Sequence, residues 1–490
     1  MEIEYPKICI ISVFEYPKIC NICVFQYPKI CITLDNAEIL CYNKDKKRGE
    51  FMLRRKMYDA LLEWKKEHKK ECLLIKGARQ VGKSYLIRAF GKSEYESFVE
   101  INFHEQKSLK VIFDGDKTAE EIYKRLTANI PGVRLIPGKT LIFLDEIQKC
   151  SGARTALKFL AEDGRYDVIA SGSLLGLSYG KDDDSEVEAV ESIPVGYEKA
   201  LTMYSMDFEE FLWAYGYTEE TVAYLKSFYT SKEKIPPEIH EKFECLLREY
   251  LVVGGMPEVV ASFAEYKDFT KVQEIQDKIL SSYADDISGH AKGAEKVKVR
   301  QCYDSIPRQL ARENKKFKYS EVEHKATARK FGDSVQWLHD ANMAHICYNT
   351  STPMLPLKVY EKDNEFKLYI ADTGLLLALF GFATKQALLN GTLKGFAKGG
   401  IYENFVAETL VKSGYTLHYY KKGDSSELEF IIEKNGEVIP IEVKAGNAAT
   451  KSLDSFITEY EPSVAIKLIS GNVGIANKKL SIPHFLAMFI

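Results

Sequence analysis

The stretch LLIKGARQVGKSYLIRAF, residues 73–90, decides how the rest of the chain is read. Its apolar opening predicts a short buried strand, and SYLIRAF at its end has helical spacing. Between them Gly77, Gly82, Lys83 and Ser84 occupy the fixed positions of G-x-x-x-x-G-K-[ST], in the strand–loop–helix context that motif demands. Such a loop curls so that successive N–H groups point inward at phosphate oxygens, reinforced by the helix N-terminus. The expected nucleotide-binding residues are therefore Gly77, Ala78, Arg79, Gln80, Val81, Gly82, Lys83, Ser84 and Tyr85. With ATP bound, Lys83 is expected to reach the β- and γ-phosphates and Ser84 to ligate Mg²⁺.

A second segment completes the reading. KTLIFLDEIQ is a buried strand that delivers Asp145 and Glu146 at its carboxyl end. Asp145 would share the Mg²⁺, and Glu146 would orient or deprotonate the attacking water, making hydrolysis the expected chemistry. An acidic pair there could also cap the next helix. A third strand, YDVIASGS, ends in Ser171 and Ser173, whose hydroxyls are placed for the γ-phosphate or the water. Strands alternating with helices predict a parallel α/β sheet covered on both faces.

Bulk properties set the frame. At 490 residues the chain is too long for one ordinary core. Apolar residues at 46% and charged residues at 28% are those of a globular protein, and a net charge of −3 excludes a globally basic nucleic-acid coat. The apolar run GLLLALFGFA, residues 374–383, is about half a membrane span and predicts a buried helix. No membrane partner is expected. Ten cysteines without a dense framework, and no secretory leader, predict a cytoplasmic location.

Five regions follow. Residues 1–51 hold a period-11 repeat, EYPKICIISVF, EYPKICNICVF and QYPKICIT, and are expected to be poorly ordered. Its Cys9, Cys20, Cys23 and Cys31 contain one C-x-x-C, short of the second close pair that a zinc site needs. Residues 52–206 are the nucleotide-binding core, interrupted by an acidic insert at 181–191 read as a solvated loop or a subunit contact. A helical lid is expected over 207–290, a basic winged-helix-like region over 291–395, and a further α/β domain over 396–490.

GARQVGKS, LIFLDEIQ, VIASGSLLG and REYLVVGGMPEVV, in that order, resemble the AAA-type P-loop ATPases of prokaryotes that carry a C-terminal domain of unknown function. The resemblance implies a sensor role for Ser171 or Ser173. It also implies a Gly-Arg pair after the sensor, where this chain has Tyr197. Arg79, Arg154 and Arg165 are the candidate substitutes for that arginine, and a site completed between subunits of a homo-oligomer is the other route.

The tail, ELEFIIEKNGEVIPIEVKAG, allows a register to be worked out. Asn435-Gly436 is a preferred two-residue turn, and closing on it pairs Lys434 with Glu437, Ile432 with Ile439 and Phe430 with Ile441. Continuing outward sets Glu429 opposite Glu442, a like-charge pair that a divalent cation would relieve. An acid followed by E-x-K on the next strand resembles the restriction-endonuclease-like PD-(D/E)XK nucleases. That resemblance implies a metal site of Glu429 and Glu442 with Lys444 as the lysine, joined by Glu403 from the preceding helix. A merely solvated polar face is the alternative. Residues 289–330 carry twelve Lys or Arg against five Asp or Glu, so DNA is the expected macromolecular partner, against a solvated basic face.

Overall fold

The computed structural model describes residues 53–67, 70–115, 118–173, 196–290, 295–423, 426–446 and 451–490. The cysteine repeat and the acidic insert lie outside them. Five strands form the first sheet: β1 (Cys72–Gly77), β2 (Ser97–Asn102), β3 (Thr140–Asp145), β4 (Asp167–Ser173) and β5 (Glu198–Thr202). Their order is β2-β3-β4-β1-β5, and every pairing is parallel. Helices explain why a parallel sheet is tolerated, since both faces are covered. Leu73, Ile75, Phe143 and Ile169 point to one side, against Leu86 and Phe90 of helix Lys83–Glu94. Leu74, Ile142, Leu144 and Val168 point to the other, against Leu157 and Leu160 of helix Ser151–Asp163. The strand β4, with Ser171 and Ser173, thus lies between the glycine loop and the acidic end of β3.

Beyond β5 come helices Phe208–Ala214, Glu219–Ser231, Pro237–Val253, Pro257–Tyr266 and Phe269–His290. The first starts in a capping box between Asp207 and Glu210. The break at VVGGMP is dictated by close approach: a Cβ on Gly255 would sit 1.9 Å from the Met206 carbonyl oxygen. The Asp372 carboxylate accepts from the Gly255 N–H at 2.7 Å, so these helices and the chain after β7 share a buried joint.

The second sheet has eight strands: β6 (Ala344–Thr350), β7 (Glu361–Ile370), β8 (His418–Lys422), β9 (Ser426–Lys434), β10 (Glu437–Val443), β11 (Ala465–Ile469), β12 (Gly474–Ala476) and β13 (Lys479–Pro483). Its order is β12-β13-β11-β10-β9-β8-β6-β7. The hairpin register follows the turn chemistry, with Lys434 opposite Glu437, Ile432 opposite Ile439, Ile431 opposite Pro440 and Phe430 opposite Ile441. The expected winged-helix-like unit needs correction. Helices Glu295–Leu310 and Ala328–Asp340 and the antiparallel pair β6–β7 exist, but β6 also pairs in parallel with β8. These strands therefore finish the C-terminal sheet, covering an edge of β8 that would otherwise expose bare amides and carbonyls. The GLLLALF segment is buried helix, Thr373–Phe380.

Candidate nucleotide-binding site

The loop from Gly77 to Ser84 turns through left-handed backbone at Gln80 (φ 65°) and Gly82 (φ 92°), immediately before the helix begins. Gly82 suits that conformation because it lacks a Cβ. Arg55, which the sequence reading passed over, holds the loop from outside. Its buried guanidinium donates to the Val81 carbonyl at 2.9 Å and the Tyr204 carbonyl at 2.7 Å, and its Nε donates to Glu210 at 3.0 Å. Lys83 donates to the carbonyls of Gly77 at 3.0 Å and Ala78 at 2.8 Å. An ammonium has three donors, so one is left for an anion at the loop mouth. Burial pushes the Lys83 amine down to about 8, against the pull of Glu146 and Asp145.

Asp145 is the hub of the site. Its buried carboxylate accepts from Ser84 Oγ at 3.0 and 2.9 Å, from Asn102 Nδ2 at 3.1 Å and from the Glu146 N–H at 3.1 Å. Ser171 Oγ also donates to it. Arg88 lies 3.9 Å away and binds Glu100. Glu146 sits at φ 55°, an uncommon conformation for a residue with a side chain. The Gln148 amide donates to its carboxylate at 2.5 Å and reaches Ser173 Oγ at 3.4 Å. The two serines thus divide: Ser171 supports Asp145, whereas Ser173 lines a slot with Ala78, Arg79, Tyr283, Asp286, Ala341 and Met343. The sequence reading passes over both Asn102 and Gln148, although Gln148 lies within the LDEIQ segment that it picks out.

The arginine candidates separate by position. Arg154 pairs with Glu198 at 2.9 Å, and Arg165 with Asp163 at 2.9 Å and Glu120 at 2.8 Å. Tyr197 accepts from the Cys72 N–H at 2.9 Å, beside the start of β1 and opposite the loop end of that strand. Arg79 stays at the loop, paired with Asp286 of helix Phe269–His290, while Tyr283 Oη donates to the Arg79 carbonyl at 3.4 Å. Burial pushes the Asp286 carboxyl up to about 6, Arg79 opposing.

The donor set fits a magnesium nucleotide. Ser84 and Asp145 are the hydroxyl and carboxylate such an ion takes, and they already touch. The spare Lys83 donor and the helix N-terminus suit a phosphate chain.

At the C-terminal hairpin three of the four candidate residues meet. Lys444 Nζ lies 2.8 Å from Glu429 and 3.1 Å from Glu442, and Glu429 also accepts from the Val443 N–H at 3.1 Å. Glu442 is buried, one of its oxygens has no partner, and burial, aided by Glu429, pushes its carboxyl up to about 7. A solvated surface pair is therefore not what this is. Glu403 does not join them, which corrects the expected four-residue cluster. Helix Gly395–Lys412 turns it toward β7, where it binds Lys367 at 2.9 Å, Tyr369 at 2.5 Å and Lys315 at 3.0 Å. Lys367 is shared with Glu427 at 2.8 Å. Among the described residues no group of three or more His, Cys, Asp or Glu side chains is disposed to hold a metal ion.

The parallel sheet, the phosphate loop and the Ser84–Asp145 contact define a P-loop nucleotide-binding domain. Residues 69–212 match the model of an AAA domain, so this part of the chain is a P-loop domain of AAA ATPase type, built to bind ATP. Residues 245–386 and 398–482 match two domains of unknown function, DUF8612 and DUF4143. No curated protein matches. Similar solved structures include a Walker-type ATPase of Pyrococcus abyssi at 16% identity, covering 67% of this chain and 96% of that one, TM-score 0.40. A STAND-class signal-transduction ATPase of Pyrococcus horikoshii with a tetratricopeptide repeat sensor is 12% identical, covering 75% and 46%, TM-score 0.25. Drosophila ORC bound to DNA is 14% identical, covering 66% and 85%, TM-score 0.24. Among the described residues no helix is long and apolar enough to cross a membrane.

Proposed function

We propose that the chain is a Mg²⁺-dependent ATPase whose nucleotide cycle is transmitted through the lid to the C-terminal sheet, with DNA as the macromolecule it works on. The observation that carries this is the Ser84 hydroxyl on the Asp145 carboxylate, with Glu146 next to it and Lys83 opposite. Magnesium, when bound, would offset the charge of the phosphate oxygens. Lys83, Gly82 and the loop amides bind and orient the phosphates. Glu146, aligned by Gln148, takes the water's proton or orients it, and Ser173 faces the same slot. That slot encloses about 10 Å³, on the order of a single water. Seating a terminal phosphate there requires Asp286 to leave Arg79, which couples nucleotide entry to movement of the lid helix. Arg79 is then free for the phosphate, or a second copy of the chain supplies the missing arginine.

DNA contact rests on the basic stretch, and the structure narrows it. Arg300, Arg312, Lys316 and Lys330 pair with nearby carboxylates, and Lys315 is spent on Glu403. Arg308 donates to the Glu321 carbonyl, and Lys296, Lys298, Lys318, Lys325 and Arg329, which form no ion pair among the described residues, are the ones to test. A second reading, a slow nucleotide-controlled switch or scaffold that cuts nothing, is favoured by Glu403: two lysines and a tyrosine occupy its carboxylate. The deciding experiment measures ATP turnover with and without Mg²⁺ and duplex DNA, in wild type and Glu146→Gln. Stimulation by DNA that vanishes in the variant supports the first reading, and slow, DNA-indifferent turnover supports the second. Failure to retain ATP with magnesium present would sink both.

A further inference from the structure

Away from the nucleotide, a cavity of about 200 Å³ opens where the lid helix Pro237–Val253 meets helix Gly395–Lys412 and the turn after β11. Glu244, Arg248, Lys398, Tyr402 and Ser470 line it, with Leu388 as an apolar wall. Three of these are charged, and among the described residues none forms an ion pair with an opposite charge. Glu244 and Arg248 are four residues apart on one helix, a spacing at which such pairs ordinarily close. Here the guanidinium instead donates to Cys245 Sγ at 3.0 Å, and it passes over the bare backbone of Gly391, whose added Cβ would lie 3.5 Å from Nη1. One Glu244 oxygen is buried with no partner. Lys398 rests near the Tyr402 ring, 5.9 Å from its centroid. Arg248 and Lys398 attract the Glu244 carboxylate across the cavity without closing on it, and half-buried charges held short of contact leave hydrogen-bonding capacity that a ligand would use.

We propose that this cavity is a binding site for a small oxyanion-bearing molecule. Its carboxylate or phosphate group lies between Arg248 and Lys398, a hydrogen-bond donor at its far end faces Glu244, and its body lies on Tyr402 and Leu388. A guanidinium and an ammonium converging on one space suit a carboxylate or phosphate, and two cations against one anion leave an excess of positive charge to fill. Because the site bridges the lid helix and the helix that carries Glu403, its occupant clamps those two elements together. The proposal is independent of the ATPase reading.

The test uses the full chain carrying Lys83→Ala, so that the phosphate loop does not answer for the cavity. Thermal unfolding at pH 8 is followed against inorganic phosphate and, separately, succinate, with chloride as the ionic-strength control. At least one probe is expected to raise the midpoint saturably in the millimolar range. Arg248→Gln should weaken that binding at least tenfold. Glu244→Gln, which removes a repelling charge, should tighten a simple oxyanion severalfold, the opposite sign from damage to the fold. A response to phosphate alone identifies a phosphorylated ligand, and one to succinate alone a carboxylic acid. No saturable response to either probe, or equal responses in wild-type and Arg248→Gln cavities, overturns the proposal, as does weakening by both substitutions.

Discussion

The phosphate-loop lysine makes ATP affinity a function of pH in a window where lysines are ordinarily silent. Lys83 is expected to hold phosphate only as the ammonium, and burial brings it down to about 8 from 10.5. In the free protein it is mostly charged at pH 7 and mostly neutral at pH 9, while bound phosphate keeps it protonated. Binding above pH 8 therefore takes up a proton, and affinity falls as pH rises. The loss is about tenfold between pH 7 and pH 9 and about tenfold again by pH 10, at roughly 1.4 kcal/mol per decade. The second ionisation of a phosphate, near 6, is about nine-tenths complete at pH 7 and adds little slope above it. The assay is equilibrium titration of ATP with excess Mg²⁺ from pH 6.5 to pH 9.5. Lys83→Arg, whose charge does not titrate here, should bind more weakly but with a flat profile. A flat wild-type profile up to pH 9.5 would refute the argument, because Lys83 would then be solvated like an ordinary lysine.

Three further outcomes are expected. Glu146→Gln should keep ATP binding while single-turnover hydrolysis slows by about 10²–10⁴-fold; unchanged hydrolysis would remove Glu146 from the chemistry. Glu442, buried with its carboxyl pushed up to about 7 from 4.5, carries a cost that is present above pH 7 and relieved as pH falls toward 4.5. Glu442→Gln should therefore stabilise the protein at pH 8 by up to roughly 3 kcal/mol, read from denaturant midpoints, and flatten the wild-type gain on acidification. Gly255→Ala drives a Cβ into the Met206 carbonyl oxygen and should lower stability by about 3 kcal/mol or more, as a fall in the thermal midpoint.

What sequence made legible were the local devices. The glycine loop announces itself because its function demands glycines and a lysine at fixed spacing between a strand and a helix. The β9–β10 register was computable because Asn435-Gly436 admits one turn geometry and a period of two does the rest. What depended on distant chain stayed hidden. Arg55 reads as half of a surface Arg-Arg pair until the chain after β5 returns to supply Tyr204 and Glu210. Lys367 looks like a solvent-facing residue in EFKLYI, yet it is fully buried between Glu403 and Glu427. The separation of Glu403 from Glu429 and Glu442 depends on how one helix is rotated over β7, which periodicity does not encode. The parallel join of β6 to β8 crosses more than sixty residues of chain, beyond the reach of any local signal.

That join sets where the molecule can be cut. The two segments of unknown function meet between residues 386 and 398, which looks like a natural place to truncate. A fragment starting at residue 398 would lose β6 and leave one side of His418–Lys422 unzipped, with Tyr419 beside it newly wet. Such a piece would recruit copies of itself to replace the missing strand. A tail expressed alone would have to carry the chain from residue 344 onward to keep that pairing.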